Sequence, residues 1–303
     1  MVFKNNPMSL VCSLICNHEH QCEGHCILNK KGMPVQISSI ENYISDSYFD
    51  KIKKTDTPQN GIKVAIIGSG PAGITISIIL AQKGYDVTIF EAKDHIGGVL
   101  RYGIPEFRLP KKIIDNYHDK MISLGIKIRP NTAIGSVIDV DDLFRDEYKA
   151  VFIGTGVWKP HTLGIKGETL GNVHFAINYL TNPDVYQLGD SVNVIGAGNA
   201  AMDVARTAIR KGANLREVEY ASIEGVEFEY NVKPVEITDE GVWFEEVHRD
   251  EEEKILDIPG KRKFFPSDST VISVSQGPRN RIVTTTEGID TKDRKSTRLN
   301  SSH

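Results

Sequence analysis

Two glycine-rich turns, Gly68-Ser69-Gly70-Pro71-Ala72-Gly73 and Gly196-Ala197-Gly198-Asn199-Ala200-Ala201, lie on one chain. Each follows a short apolar run, and each opens a helix-forming stretch. A glycine pattern placed between a strand and a helix restricts the chain to an α/β fold with parallel strands and points to dinucleotide binding. Two such turns in one sequence suggest a relay between two nucleotides.

The first turn has a complete context. Val64-Ala65-Ile66-Ile67 reads as a strand buried on both faces, as parallel strands are. Pro71 and Ala72 open an apolar-rich helix predicted from Ile74 to Lys83, closed by Gly84 in the left-handed conformation. Asp86-Val87-Thr88-Ile89-Phe90-Glu91 returns as a second strand, and Glu91 stands 18 positions past Gly73, where a ribose-binding acid belongs. The chemistry explains the residue types. Gly68 permits the tight turn, Gly70 lets the backbone approach a pyrophosphate, and Gly73 lets the helix pack closely on the strand. The helix N-terminus offers N–H groups and partial positive charge to the phosphates.

The second turn follows Val192-Asn193-Val194-Ile195 and leads into a helix over Ala200 to Lys211, ended by Gly212. Ala201 stands for the third glycine, a permitted variant. A further strand ending in an acid or an arginine is then expected. Leu215, Val218 and Ile223 fit no strand alternation, so the sequence predicts that this strand is missing and that the next one is Val226-Glu227-Phe228-Glu229-Tyr230.

The chain has 303 residues, 40% of them hydrophobic and 25% charged, which is ordinary for a globular protein of two domains and an extension. A net charge of -4 gives no general attraction to nucleic acid or to an anionic membrane. No apolar stretch is long enough to span a bilayer, and no secretory signal is recognisable, so the cytoplasm is the expected location.

All four cysteines, Cys12, Cys16, Cys22 and Cys26, fall near the N-terminus. Such clustering is compatible with iron–sulfur ligation, with zinc, given His18, His20 and His25 among the thiols, or with disulfides. A reducing compartment disfavours disulfides. A thiolate cluster beside a redox nucleotide favours iron–sulfur.

Along the chain, residues 1–54 form the cysteine segment, with a helix predicted near Ser39 to Tyr48, and a polar linker runs from Lys53 to Gly61. Residues 61–159 form the first nucleotide domain. It includes the Gly97-Gly98 loop, an amphipathic helix after Pro110 with Ile113, Ile114, Tyr117, Met121 and Leu124 on its core side, and the strand Ala150 to Ile153 running into the turn Gly154-Thr155-Gly156. Residues 160–292 form the second domain, short of a segment after 213, with a strand from Thr270 to Ser275. Glu251-Glu252-Glu253 and Lys261-Arg262-Lys263 read as solvated turns. Residues 293–303 match one reading frame of a sequencing adapter and read as an artefact.

Three stretches carry a family resemblance: Cys12-x3-Cys16-x5-Cys22-x3-Cys26, the run Gly97 to Lys111, and Gly198-Asn199-Ala200-Ala201-Met202-Asp203-Val204-Ala205-Arg206. With them the chain resembles the glutamate synthase small (beta) subunit family of NAD(P)H/FAD iron–sulfur oxidoreductases. That family's relatives include the ferredoxin:NADP transhydrogenase large subunit and the N-terminal part of dihydropyrimidine dehydrogenase. The implied fold is α/β, two Rossmann-like domains for FAD and NAD(P) with an N-terminal helical iron–sulfur segment.

The resemblance implies FAD at Gly68, Gly70, Pro71, Ala72 and Gly73, with Glu91 on its ribose and Gly97, Gly98, Leu100, Gly154, Thr155 and Gly156 beside it. It implies NADPH, or NADH, at Gly196, Gly198, Asn199, Ala200 and Ala201, with Asp203 and Arg206 in the same motif and Arg216 as a candidate for a 2′-phosphate. It implies [4Fe–4S] clusters to which Cys16 and Cys22, with Glu41, and separately Cys26 contribute, Cys12 keeping the pattern. No catalytic side chain is expected. The implied partner is a glutamate synthase large subunit or a ferredoxin-linked flavoprotein subunit, and the alternative from another class is an inactive or nucleotide-binding-only piece. Further cluster ligands before Met1 and a flavin-closing segment after Lys292 are also implied, so the sequence reads as part of a longer frame.

Overall fold

The computed structural model describes residues 2–53, 56–212, 214–215, 227, 229–249, 255–278, 282, 285–286, 289–290 and 298–299. The chain divides into two units, one of residues 1–101, 106–157 and 278–303, the other of residues 102–105 and 158–277.

The first unit begins with helices α1 (Val2–Asn5), α2 (Ser9–Ile15) and α3 (Ile37–Phe49). Leu10 and Val11 of α2 and Phe49 of α3 are buried, and α2 and α3 are joined by polar pairs: Ser45 Oγ donates to Ser9 Oγ at 2.8 Å, and Asn42 Nδ2 donates to Ser13 Oγ at 3.1 Å. The loop between α2 and α3 is also fastened. Glu23 Oε1 accepts from Ser38 N at 2.8 Å and Ser38 Oγ at 2.7 Å in the first turn of α3, where the helix dipole favours a carboxylate. The Ser38 backbone N–H holds the Glu23 carboxyl below the usual range.

Next come β1 (Lys63–Ile67), α4 (Pro71–Gln82), β2 (Asp86–Phe90), α5 (Val99–Tyr102), α6 (Lys111–Ser123), β3 (Lys127–Arg129), α7 (Val140–Arg145) and β4 (Ala150–Ile153). The strands form a parallel sheet in the order β3-β2-β1-β4. Val64 to Ile67 are all buried, as the unbroken apolar run requires. Helix α4 starts at Pro71, which at the first position needs no N–H partner and has φ preset for helix. Gly84 closes it at φ +85°.

Helix α6 buries Ile114, Tyr117 and Met121, with Leu124 just past its end. Tyr117 also anchors the N-terminal segment. Its hydroxyl donates to Pro7 O at 2.8 Å, and its ring meets Phe49 edge-on at 4.9 Å between centroids.

In the second unit, β5 (Lys159–Pro160), β6 (Val173–Phe175), α8 (Ala176–Thr181), β7 (Ser191–Ile195), α9 (Asn199–Arg210) and β8 (Asn214–Leu215) precede an antiparallel meander of β9 (Val232–Thr238), β10 (Gly241–Arg249) and β11 (Ile255–Pro266). Strands β12 (Ser269–Ile272) and β13 (Gln276–Gly277) follow. A parallel sheet runs β6-β12-β7-β8, and β13 pairs with β5. Val204, Ala205 and Ala208 of α9 pack with Val192 and Val271 in its core.

Four sequence expectations change here. A strand does follow α9: β8 pairs in parallel with β7 through Ser191–Asn214 and Val192–Leu215, backbone pairing supplying what side-chain alternation did not signal. Glu227, Glu229 and Tyr230 are not in a strand, since Asn231 turns the chain at φ +57° and pairing begins at Val232; Val226 and Phe228 lie outside the described residues. Lys261, Arg262 and Lys263 lie within β11, not in a turn, because acidic residues face them: Arg262 pairs with Glu245 and Lys263 with Glu229 and Glu246. The strand from Thr270 ends at Ile272, as Ser275 takes φ +91°. Glu251 to Glu253 lie outside the described residues, and of residues 293–303 only Arg298 and Leu299 are described.

Candidate nucleotide and cluster sites

The first glycine turn is built by backbone contacts that leave no room for side chains. Gly68, at φ +95°, approaches Gly154 so closely that an added Cβ would lie 2.5 Å from the Gly154 carbonyl oxygen. A Cβ on Gly73 would lie 2.0 Å from the carbonyl oxygen of Gly68, which is the close packing of helix on turn. Gly70 differs: a Cβ there meets nothing within 4 Å. Its backbone is extended, at φ −70° and ψ −174°, so the position faces open space at the mouth of α4. Pro71 and Ala72 are exposed beside it, and the first N–H groups of α4 have no partner within the helix.

The Gly97-Gly98 loop closes over this turn. Gly97 N donates to Ser69 O at 2.9 Å, and a Cβ on Gly98 would lie 2.8 Å from Gly70 Cα. Leu100 is buried under the loop. Side chains that the sequence analysis did not single out lock it in place: Arg101 donates through Nε to Ile96 O at 3.1 Å and pairs with Asp115 of α6, and Lys111 Nζ donates to Leu100 O at 3.1 Å. The only signal for Arg101 and Lys111 was a position inside the run from Gly97 to Lys111, and Asp115, beyond it, had none. Thr155 and Gly156, the latter at φ +72°, continue from Gly154. Glu91, at the end of β2, is 7% exposed; its Oε2 accepts from Ser69 N at 2.8 Å and Ser69 Oγ at 2.5 Å, and its Oε1 from Lys93 N at 2.8 Å.

The second turn repeats the design. Gly196, at φ +145°, lies where a Cβ would be 2.4 Å from Ser273 O, whereas a Cβ on Gly198 meets nothing within 4 Å. Asn199 starts α9, with Ala200 half-buried and Ala201 fully buried. Asp203 is buried and Arg206 half-buried further along that helix. Arg216 lies outside the described residues.

The thiols divide. Cys12 lies on α2 and Cys16 caps it. Burial and the neighbouring Cys12, Glu41 and Cys22 push the Cys16 thiol up to about 11. His18 Nδ1 lies 3.2 Å from Cys22 Sγ, while its Nε2 meets Cys12 O at 3.1 Å. Cys26 stands on another turn, where the backbone N–H groups of Val35, Leu28 and Asn29 hold its thiol below the usual value. All four thiols are free, and among the described residues no three His, Cys, Asp or Glu side chains are gathered to hold a single metal ion.

Sequence comparison matches both parts of the chain to known families. Residues 40–144 and 62–303 match the pyridine nucleotide-disulphide oxidoreductase profile, and residues 1–53 match the dihydropyrimidine dehydrogenase domain II, 4Fe-4S cluster profile. The chain belongs to the pyridine nucleotide-disulphide oxidoreductase family. Within it, the chain is 34% identical over 267 residues to the glutamate synthase [NADPH] small chain of Escherichia coli (strain K12), covering 77% of this chain and 56% of that one. It is 33% identical over 319 residues to the glutamate synthase [NADPH] small chain of Halomonas elongata, covering 91% and 67%. The chain thus spans little more than half the length of the first of these relatives. Thioredoxin reductase of T. acidophilum shares the fold at a TM-score of 0.53 and 21% identity, covering 76% of this chain and 82% of that one.

The two family profiles imply FAD and NAD(P)H for the glycine turns and [4Fe–4S] for the N-terminal segment. The two open glycines, Gly70 and Gly198, fit a diphosphate, because they are the points where a Cβ would fill free space in front of helix N–H groups. The thiols and the N–H groups aimed at the Cys26 sulfur fit the donor chemistry of an iron–sulfur cluster. Among the described residues no helix is long and apolar enough to cross a membrane.

Proposed function

We propose that the chain accepts reducing equivalents from NAD(P)H at the second glycine turn, holds FAD at the first, and delivers electrons through the N-terminal cysteine segment to a partner subunit. The observation that carries this reading is the repetition on one chain of a glycine turn whose middle glycine alone faces free space, Gly70 in one unit and Gly198 in the other. Bound FAD and [4Fe–4S] supply the conversion of a two-electron donor into single electrons.

The residues bind and orient. The N–H groups at the start of α4 and the bare backbone of Gly70 take the diphosphate, Glu91 accepts from the ribose, and Gly97 and Gly98 bring the loop against the turn without side chains. Asn199, Ala200 and Ala201 present the N-terminus of α9 to the second dinucleotide, with Asp203 and Arg206 on the same helix. Cys16 and Cys22, with Glu41, serve one cluster and Cys26 another, while Cys12 lies beside Cys16. No side chain needs to move a proton for the hydride step. The partner that best suits the sequence relatives is a glutamate synthase large subunit, with a ferredoxin-linked flavoprotein subunit as the other acceptor of the same kind.

Anaerobic titration of the FAD-loaded protein with NADPH, then NADH, tests the relay. Bleaching of the flavin absorbance by equimolar nucleotide is expected, and a flavin unchanged by either nucleotide would overturn the assignment to electron transfer. For the thiols, Cys22→Ser in protein reconstituted with iron and sulfide is expected to lower iron per chain; an unchanged ratio rejects Cys22 as a ligand.

A further inference from the structure

We infer that Ser69 is a positioning residue for FAD, fixing the Glu91 carboxylate as an acceptor for the adenosine ribose. The inference rests on the assignment of FAD to the first glycine turn. Ser69 occupies a variable place in the glycine pattern, and its side chain is fully buried, at 0% exposure, so it does not reach a ligand itself. Both of its donors point at one atom: the Ser69 N–H at 2.8 Å and the hydroxyl at 2.5 Å both meet Glu91 Oε2.

A carboxylate offers about four acceptor positions, two on each oxygen. Ser69 fills both on Oε2, and the Lys93 N–H takes one on Oε1 at 2.8 Å. The remaining acceptor position belongs to Oε1, and three donors fix the plane of the group around it. Because Ser69 belongs to the turn and Glu91 to the end of β2, the same bonds also make the diphosphate mouth and the ribose acceptor one rigid unit. Hydrogen bonds to a charged acceptor are stronger than neutral ones, and removing a partner from a buried carboxylate leaves acceptor capacity unfilled.

The test is a double-mutant cycle read by FAD affinity, measured by quenching of flavin fluorescence on apoprotein, with circular dichroism to verify folding. Ser69→Ala is expected to weaken FAD binding about tenfold, and Ser69→Thr, which keeps the hydroxyl, to recover most of it. On a Glu91→Gln background the same Ser69→Ala change is expected to cost much less, since Ser69 acts through the carboxylate. An unchanged affinity in Ser69→Ala, or an equal loss on both backgrounds, overturns the inference. Failure of the unaltered protein to bind FAD overturns the site assignment on which the inference stands, and that outcome is visible before any variant is made.

Discussion

Gly70→Val is expected to abolish FAD retention while leaving the fold intact. The two effects separate because of where the side chain goes. Gly70 is extended, at φ −70° and ψ −174°, a conformation valine adopts readily, and an added Cβ meets no protein atom within 4 Å. The space it enters is the approach path of the diphosphate, so the branched side chain blocks contact between phosphate and backbone N–H groups. Binding should fall by about a hundredfold or more, since the anion loses both the helix terminus and the close backbone contact. The thermal midpoint of the apoprotein should shift by no more than about 2 °C. Retention of bound flavin by the variant would refute the assignment of Gly70 to the diphosphate.

Gly73→Ala should do the reverse, damaging the fold whether or not a ligand is present. Its Cβ would lie 2.0 Å from the carbonyl oxygen of Gly68 and 3.4 Å from Ile66 Cγ2. The closer atom belongs to backbone already held by the Gly68 N–H bond to Phe90 O at 2.8 Å, so helix and turn must move apart. Disruption of that packing should cost about 3 kcal/mol or more, a large share of the roughly 5–15 kcal/mol that stabilises a domain. A drop of roughly 10 °C in the apoprotein's thermal midpoint is the expected reading by calorimetry. A midpoint within about 2 °C of the unaltered protein would show that α4 does not rest on the turn as described.

The architecture of the first glycine turn was legible in the sequence. Gly68 and Gly73 are dictated by backbone proximity and Gly70 by the open space before the helix N–H groups, and the apolar strand, proline-started helix and terminal Glu91 are local signals within one βαβ unit. The role of Ser69 was not legible, because it depends on a bond to a residue 22 positions away. Arg101 and Asp115 likewise meet only through tertiary structure, α6 folding back beneath the Gly97-Gly98 loop.

The second unit was harder to read for a related reason. Strand β8 is held to β7 by backbone pairs with little side-chain pattern of its own, and the strand β11 looked like a charged turn because Arg262 and Lys263 are neutralised by Glu245, Glu246 and Glu229 across the meander. A run of like charges reads as loop when its partners are far off in sequence. In the cysteine segment, the spacing named the thiols, but the N–H groups of Val35, Leu28 and Asn29 around Cys26 and the Glu23 clasp on Ser38 come from the folded loop.

The central claim is that the first glycine turn holds FAD, and the flavin content of the purified protein tests it most directly. Protein folded in the presence of excess FAD and freed of unbound flavin by gel filtration should release FAD on heating in about equimolar amount, identified by chromatography against FAD and FMN standards. A folded protein that releases no flavin, or releases the same amount after Gly70→Val, would contradict the account.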